Sequence, residues 1–145
     1  MEDIKYKAFV TEETDEGFTN SIENLSTSNL KENDLLVKVS YSSLNYKDAL
    51  SASGNKGVTR EYPHTPGIDA VGEVVKSNTS DFKIGDKIIV TGYDLGMNTF
   101  GGFGQYISIP ANWAVMLPKE LSETEAMSIG TAGLTAGLCI RKLLM

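Results

Sequence analysis

In the stretch SSLNYKDAL, Ser42 to Leu50, four consecutive side chains can give or take a proton or a hydrogen bond: Asn45, Tyr46, Lys47 and Asp48. Phenols titrate at about pH 10, so a tyrosine stays protonated at neutral pH and can donate to charge developing on an acceptor. The same residue also serves as an ordinary pocket wall. Asn45 offers amide donors to a carbonyl becoming an enolate, an oxyanion-hole role, although asparagine is equally a turn former at a strand end. Asp48, two residues past Tyr46, joins them as a catalytic candidate, and its type and place also suit a helix cap or an orienting partner. Lys47 reads as part of a solvated face.

The elements that would hold these residues are mostly strands. Leu35 to Tyr41, LLVKVSY, places Leu35, Val37 and Val39 on one face and Leu36, Lys38 and Ser40 on the other, the period-2 pattern of a half-buried strand. It delivers the chain to Asn45, where a short helical turn is expected. Tyr6–Val10 and Gly17–Leu25 also read as strands, as do Ile68–Val75, Lys87–Thr91, Gln105–Ile109 and Ala114–Leu117. Gly72, inside one of them, marks a bulge or a close backbone approach. Residues 52–67 are loop, framing a site or disordered, and His64 in it reads as a surface histidine beside its prolines. Asp69 opens a strand, as an orienting carboxylate or a plain edge residue. Many short strands with glycine and proline turns and no helix until late indicate an all-β barrel or partly open barrel.

The pattern changes at Ser122. Ser122 to Glu125 has the S-x-x-E form of a capping box, so a helix should start there. GTAGLTAG then interrupts it, and LCIRKLLM resumes without a C-cap, as if the chain stopped inside an element.

Composition removes several classes of function. The net charge is −6, with nine acids against three lysines in residues 1–34 and ten of each sign in residues 35–145. No basic run is present, so nucleic acid is not an expected partner. With one cysteine, Cys139, and one histidine, His64, neither a disulfide framework nor a Cys/His zinc site can form within the chain. The first residues lack a basic n-region and an apolar core, and no apolar run approaches the roughly 18 residues of a membrane span, so a soluble cytoplasmic protein is the expectation.

Five segments in order, SSLNYKDAL, GIDAVGEV, TGYDLG, GGFGQYISIP and AMSIGTAGLTAG, resemble the medium-chain dehydrogenases and reductases. The resemblance is to their zinc-independent quinone oxidoreductase and acrylyl-coenzyme A reductase subgroup. It implies a mainly β fold: a GroES-like, partly open barrel with short helices and a C-terminal helical segment. Residues 1–121 would be the catalytic domain, and 122–145 the helical start of a linker into a dinucleotide-binding domain that the chain lacks. It also implies NADPH as cofactor, no metal, and an enoyl thioester or a quinone as substrate. Asn45 and Ile68 stand where zinc-dependent relatives carry a cysteine and a histidine. Tyr46 would lie beside the nicotinamide and the reacting group, and Thr131 and Thr135 would contact the nicotinamide half, a tightly packed helix break being the other reading of that segment. A second reading of the whole chain is a catalytically silent GroES-like barrel. Its apolar closing helix would act in binding or homo-oligomerisation.

Overall fold

The alternating residues of the first half build the expected strands, longer than their apolar centres. A computed structural model describes residues 3–145. Strands β1 (Lys5–Thr14) and β2 (Gly17–Ser26) form an antiparallel hairpin paired one to one, with no register shift, around the turn at Asp15 and Glu16. Tyr6, Ala8 and Val10, at period 2 on β1, are its buried face, and Leu25 and Tyr106 pack against them.

Five more strands make the second sheet: β3 (Leu35–Tyr41), β4 (Asp69–Ser77), β5 (Lys87–Thr91), β6 (Tyr106–Ile109) and β7 (Val115–Met116). Their order across the sheet is β6-β3-β4-β5-β7, antiparallel throughout. Leu35, Val37, Ala70, Val74, Ile88, Val90, Leu95, Ile107 and Ile109 fill the space behind it. Each of the valine, leucine and isoleucine side chains among them, fully withdrawn from water, contributes about 1.5–3 kcal/mol before entropy is subtracted. The free edge of β1 is stitched to the loops of this sheet. Phe9 N–H donates to the Phe103 carbonyl at 3.0 Å, and Thr11 and His64 exchange backbone bonds at 2.8 and 2.9 Å. The two sheets thereby curl into a mainly β, partly open barrel.

Gly72 is a close approach. It pairs with Val39 beside a register shift, and a Cβ there would overlap the Lys38 carbonyl oxygen. The loop before β4 is ordered, and its histidine corrects the sequence reading. His64 is 2% exposed, because its backbone is bridged to Thr11 while its ring packs between Tyr62 and Phe100.

Among the described residues there are two α-helices, α1 (Tyr46–Ala52) and α2 (Glu123–Leu143). The capping box at the start of α2 is present: Glu125 N–H donates to Ser122 Oγ at 3.2 Å and Ser122 N–H to the Glu125 carboxylate at 2.8 Å. The interruption expected over GTAGLTAG is confined to one residue. Gly130 adopts φ 50°, ψ −161°, and the helix resumes at once. Before that break Ala126 and Met127 pack on Val71 of β4; beyond it Leu134, Leu138, Ile140 and Leu143 are exposed. Among the described residues no helix is long and apolar enough to cross a membrane.

Candidate active site

The site forms where β3, β4 and α2 meet. Ala70 and Val74 of β4 face the sheet core, so period 2 turns Asp69 and Val71 to the opposite face, against which α2 lies. Asp69, fully buried, therefore meets the helix break. Its Oδ2 accepts from the Thr131 N–H at 2.9 Å and its Oδ1 from the Thr131 hydroxyl at 2.6 Å. From the other side Asn45 Nδ2 donates to Asp69 Oδ2 at 2.9 Å.

The break at Gly130 makes this possible by exchanging partners. In an unbroken helix the Thr131 N–H would bond the Met127 carbonyl, four residues back. Here it turns to Asp69, and the Met127 carbonyl accepts from Ser43 Oγ at 2.6 Å instead. Neither of these two backbone groups is orphaned, as burial requires. The positive φ lets the backbone come so close that a Cβ on Gly130 would lie 2.5 Å from Ser43 Oγ and 2.8 Å from Asp69 Oδ2.

Asp48 is 2% exposed and spends its carboxylate on two backbone amides, Asn45 N–H at 2.8 Å and Ile68 N–H at 2.9 Å. Burial pushes its pKa up from the ordinary carboxylate value, while those two hydrogen bonds pull the other way. Asp48 thus fixes the start of α1 to the loop before β4, on the side of its cap and orienting reading. Tyr46, at the first position of α1, is 80% exposed and open to an incoming molecule.

The spare hydrogen-bonding capacity follows from residue chemistry. A carboxylate only accepts, so contact with Asp69 identifies the Asn45 amide nitrogen and leaves that NH2 one further donor. The Thr131 and Thr135 hydroxyls have committed their protons, to Asp69 and to the Thr131 carbonyl at 2.8 Å, and keep acceptor lone pairs. Asn45 and Thr131 are brought together through Asp69. Thr135 lies one turn further along α2 and Tyr46 next to Asn45. Sequence reasoning placed Asp69 at a strand start but did not find its contact with Thr131, and it missed Ser43 entirely.

Residues 31–119 match the alcohol dehydrogenase GroES-like domain family. The chain belongs to that family. It is 42% identical over 138 residues to the putative quinone oxidoreductase YhfP of Bacillus subtilis, covering 95% of this chain and 42% of that protein. Acrylyl-CoA reductase AcuI of Ruegeria pomeroyi is 41% identical over 85% of this chain and 37% of its own length. The chain therefore spans about two fifths of these curated relatives. Among solved structures, the yhdH oxidoreductase of Salmonella enterica in complex with NADP aligns with TM-score 0.91 at 40% identity, over 94% of this chain and 42% of that one. The Bacillus subtilis yhfP structure with NAD bound aligns with TM-score 0.92 at 41% identity, over 97% and 43%. The fold and the quinone oxidoreductase and acrylyl-CoA reductase resemblance read from the sequence are both borne out, and both of these solved structures hold a nicotinamide nucleotide.

Proposed function

We propose that this chain supplies the substrate-side wall of an NADPH-dependent reductase of activated C=C bonds, with an acrylyl-type enoyl thioester or a quinone as acceptor. The observation that carries the reading is the Asn45–Asp69–Thr131 bridge, which holds the candidate donor to the acceptor carbonyl in fixed relation to the helix break assigned to the cofactor. The residues fit the pyridine-carboxamide half of a nicotinamide. Its NH2 group needs acceptors, and the Thr131 and Thr135 hydroxyls have only acceptor capacity left.

When bound, the nicotinamide would supply a hydride to the β-carbon of an enoyl thioester, whose α-carbon then takes a proton, or to a quinone. The chain's own residues handle the other end of the conjugated system. Tyr46 donates from its phenol, and Asn45 from its second amide hydrogen, to the carbonyl oxygen as it gains negative charge. Asp69 orients Asn45 and, with Asp48, keeps the β3–α1 junction rigid. The similar structures from Salmonella enterica, with NADP, and Escherichia coli, with bound NADPH, support the NADPH reading, and the Bacillus subtilis yhfP structure with NAD bound makes NADH the nucleotide to compare it with.

The test joins this chain, at the end of its matched region, to the remainder of Bacillus subtilis YhfP. Nucleotide binding is read by nicotinamide fluorescence, and turnover by NADPH or NADH oxidation with an acrylyl thioester or a quinone. Turnover of either acceptor is expected. A folded chimera that binds the nucleotide and reduces neither acceptor overturns the proposal.

A further inference from the structure

The outer edge of β2 is the longest unpaired strand edge among the described residues, and a single charge, Glu23, is all that its sequence sets against pairing. On β1 the backbone groups of Lys7, Phe9 and Thr11 point away from the hairpin, to Gln105, Phe103 and His64. In an antiparallel ladder this direction alternates, so Glu12, Val10 and Ala8 bond their partners Thr19, Ser21 and Glu23. Asn20, Ile22 and Asn24 then direct their N–H and C=O outward, and no hydrogen bond from another described residue reaches those groups. Exposed edges are ordinarily blunted by charged side chains, above all lysine, by proline, by a bulge or by shortness. Gly17–Ser26 is ten residues long, contains no lysine, arginine or proline, and follows β1 without a register shift. By contrast β7, at an edge of the other sheet, has two residues.

We propose that β2 pairs antiparallel with β2 of a second copy of this chain, joining two hairpins into a four-stranded sheet about a two-fold axis. A second copy is favoured because one register makes the edge complementary to itself. With Ile22 opposite its own counterpart, Asn20 faces Asn24 and Glu23 faces Ser21, so the one charge on the strand is not set directly opposite itself. About six backbone hydrogen bonds then form over these residues. Ile22, 64% exposed, lies on the face shared with its partner Phe9, whose ring meets Phe103 edge-on at 6.2 Å. The two-fold places two such apolar spots side by side, where cross-strand pairs add to the ladder.

The test is residue-resolved amide hydrogen exchange and sedimentation at rising protein concentration. The amides of Asn20, Ile22 and Asn24 should exchange at least about 10-fold more slowly in the concentrated sample, while a dimer of the 15.7 kDa chain forms. Ile22→Lys, at an exposed position, should set two charges against each other at the axis and return a folded monomer. A monomer at every concentration overturns the proposal. So does a dimer that survives Ile22→Lys with those three amides unprotected, and so does one abolished by Leu138→Lys on the exposed face of α2.

Discussion

Asn45 Nδ2 and Asp69 Oδ2 lie 2.9 Å apart, and the same carboxylate takes both donors of Thr131. One buried anion thus joins the end of β3 to the break in α2. Asp69→Ala leaves the part-buried Thr131 amide and Asn45 side chain without their partner. The loss of stability should be about 1–3 kcal/mol, read by urea denaturation. Ser43→Ala, which strips only the Met127 carbonyl of its donor, should lose less than Asp69→Ala in the same measurement.

Much of this site was legible in the sequence where the signal is local. The period-2 run Leu35–Val39 followed by Asn45 announced a strand turning into a helix, and Ser122–Glu125 announced the start of α2. What escaped was set by distant partners. Asp69 meets Asn45 24 residues away and Thr131 62 residues away, and a pattern within one strand gives its face without its contacts. His64 looked exposed because prolines and polar residues flank it, yet its backbone is held by Thr11. The glycines of GTAGLTAG looked equally disruptive, but Gly130 alone leaves helical geometry, because Asp69 and Ser43 take over its neighbours' hydrogen bonds.

Two glycines of α2 should therefore respond to alanine in opposite senses. Gly130→Ala must hold a Cβ at φ 50° and press it 2.5 Å from Ser43 Oγ, so it should cost at least about 1–3 kcal/mol. At Gly137 a methyl group would have no neighbouring atom within 4 Å, and the backbone there is regular helix. Gly137→Ala should stabilise by about 0.5–1 kcal/mol. Thermal melts of the two variants against the parent check both signs.

His64 should make stability depend on pH. Burial lowers its pKa below the ordinary histidine value, while its hydrogen bond to the Gly96 backbone and the charge of Asp94 act the other way. In the unfolded chain the ring binds a proton below about pH 6.5, whereas in the folded chain it stays neutral further down. The unfolded state then holds more protons, so stability is full above about pH 6.5 and falls as pH drops below it. Asp48, with its raised pKa, has the opposite sign and acts in the more acidic carboxylate range. Denaturant midpoints between about pH 7.5 and 5.5 should decline for the parent and stay flatter for His64→Phe.

Tyr46 and Asn45 should separate by what else they hold. The Tyr46 ring is 80% exposed, so Tyr46→Phe should leave the denaturant midpoint of the chain unchanged. In the chimera that tests the proposed reaction it should lower kcat by about 10²-fold with KM for the nucleotide little altered, since a general acid acts in the transition state. Asn45→Ala removes a donor to the acceptor and also a partner of buried Asp69, so it should reduce both kcat and the midpoint. If Tyr46→Phe turns over at the parental rate, the phenol is confined to the pocket wall and Asn45 alone carries the polarisation of the carbonyl.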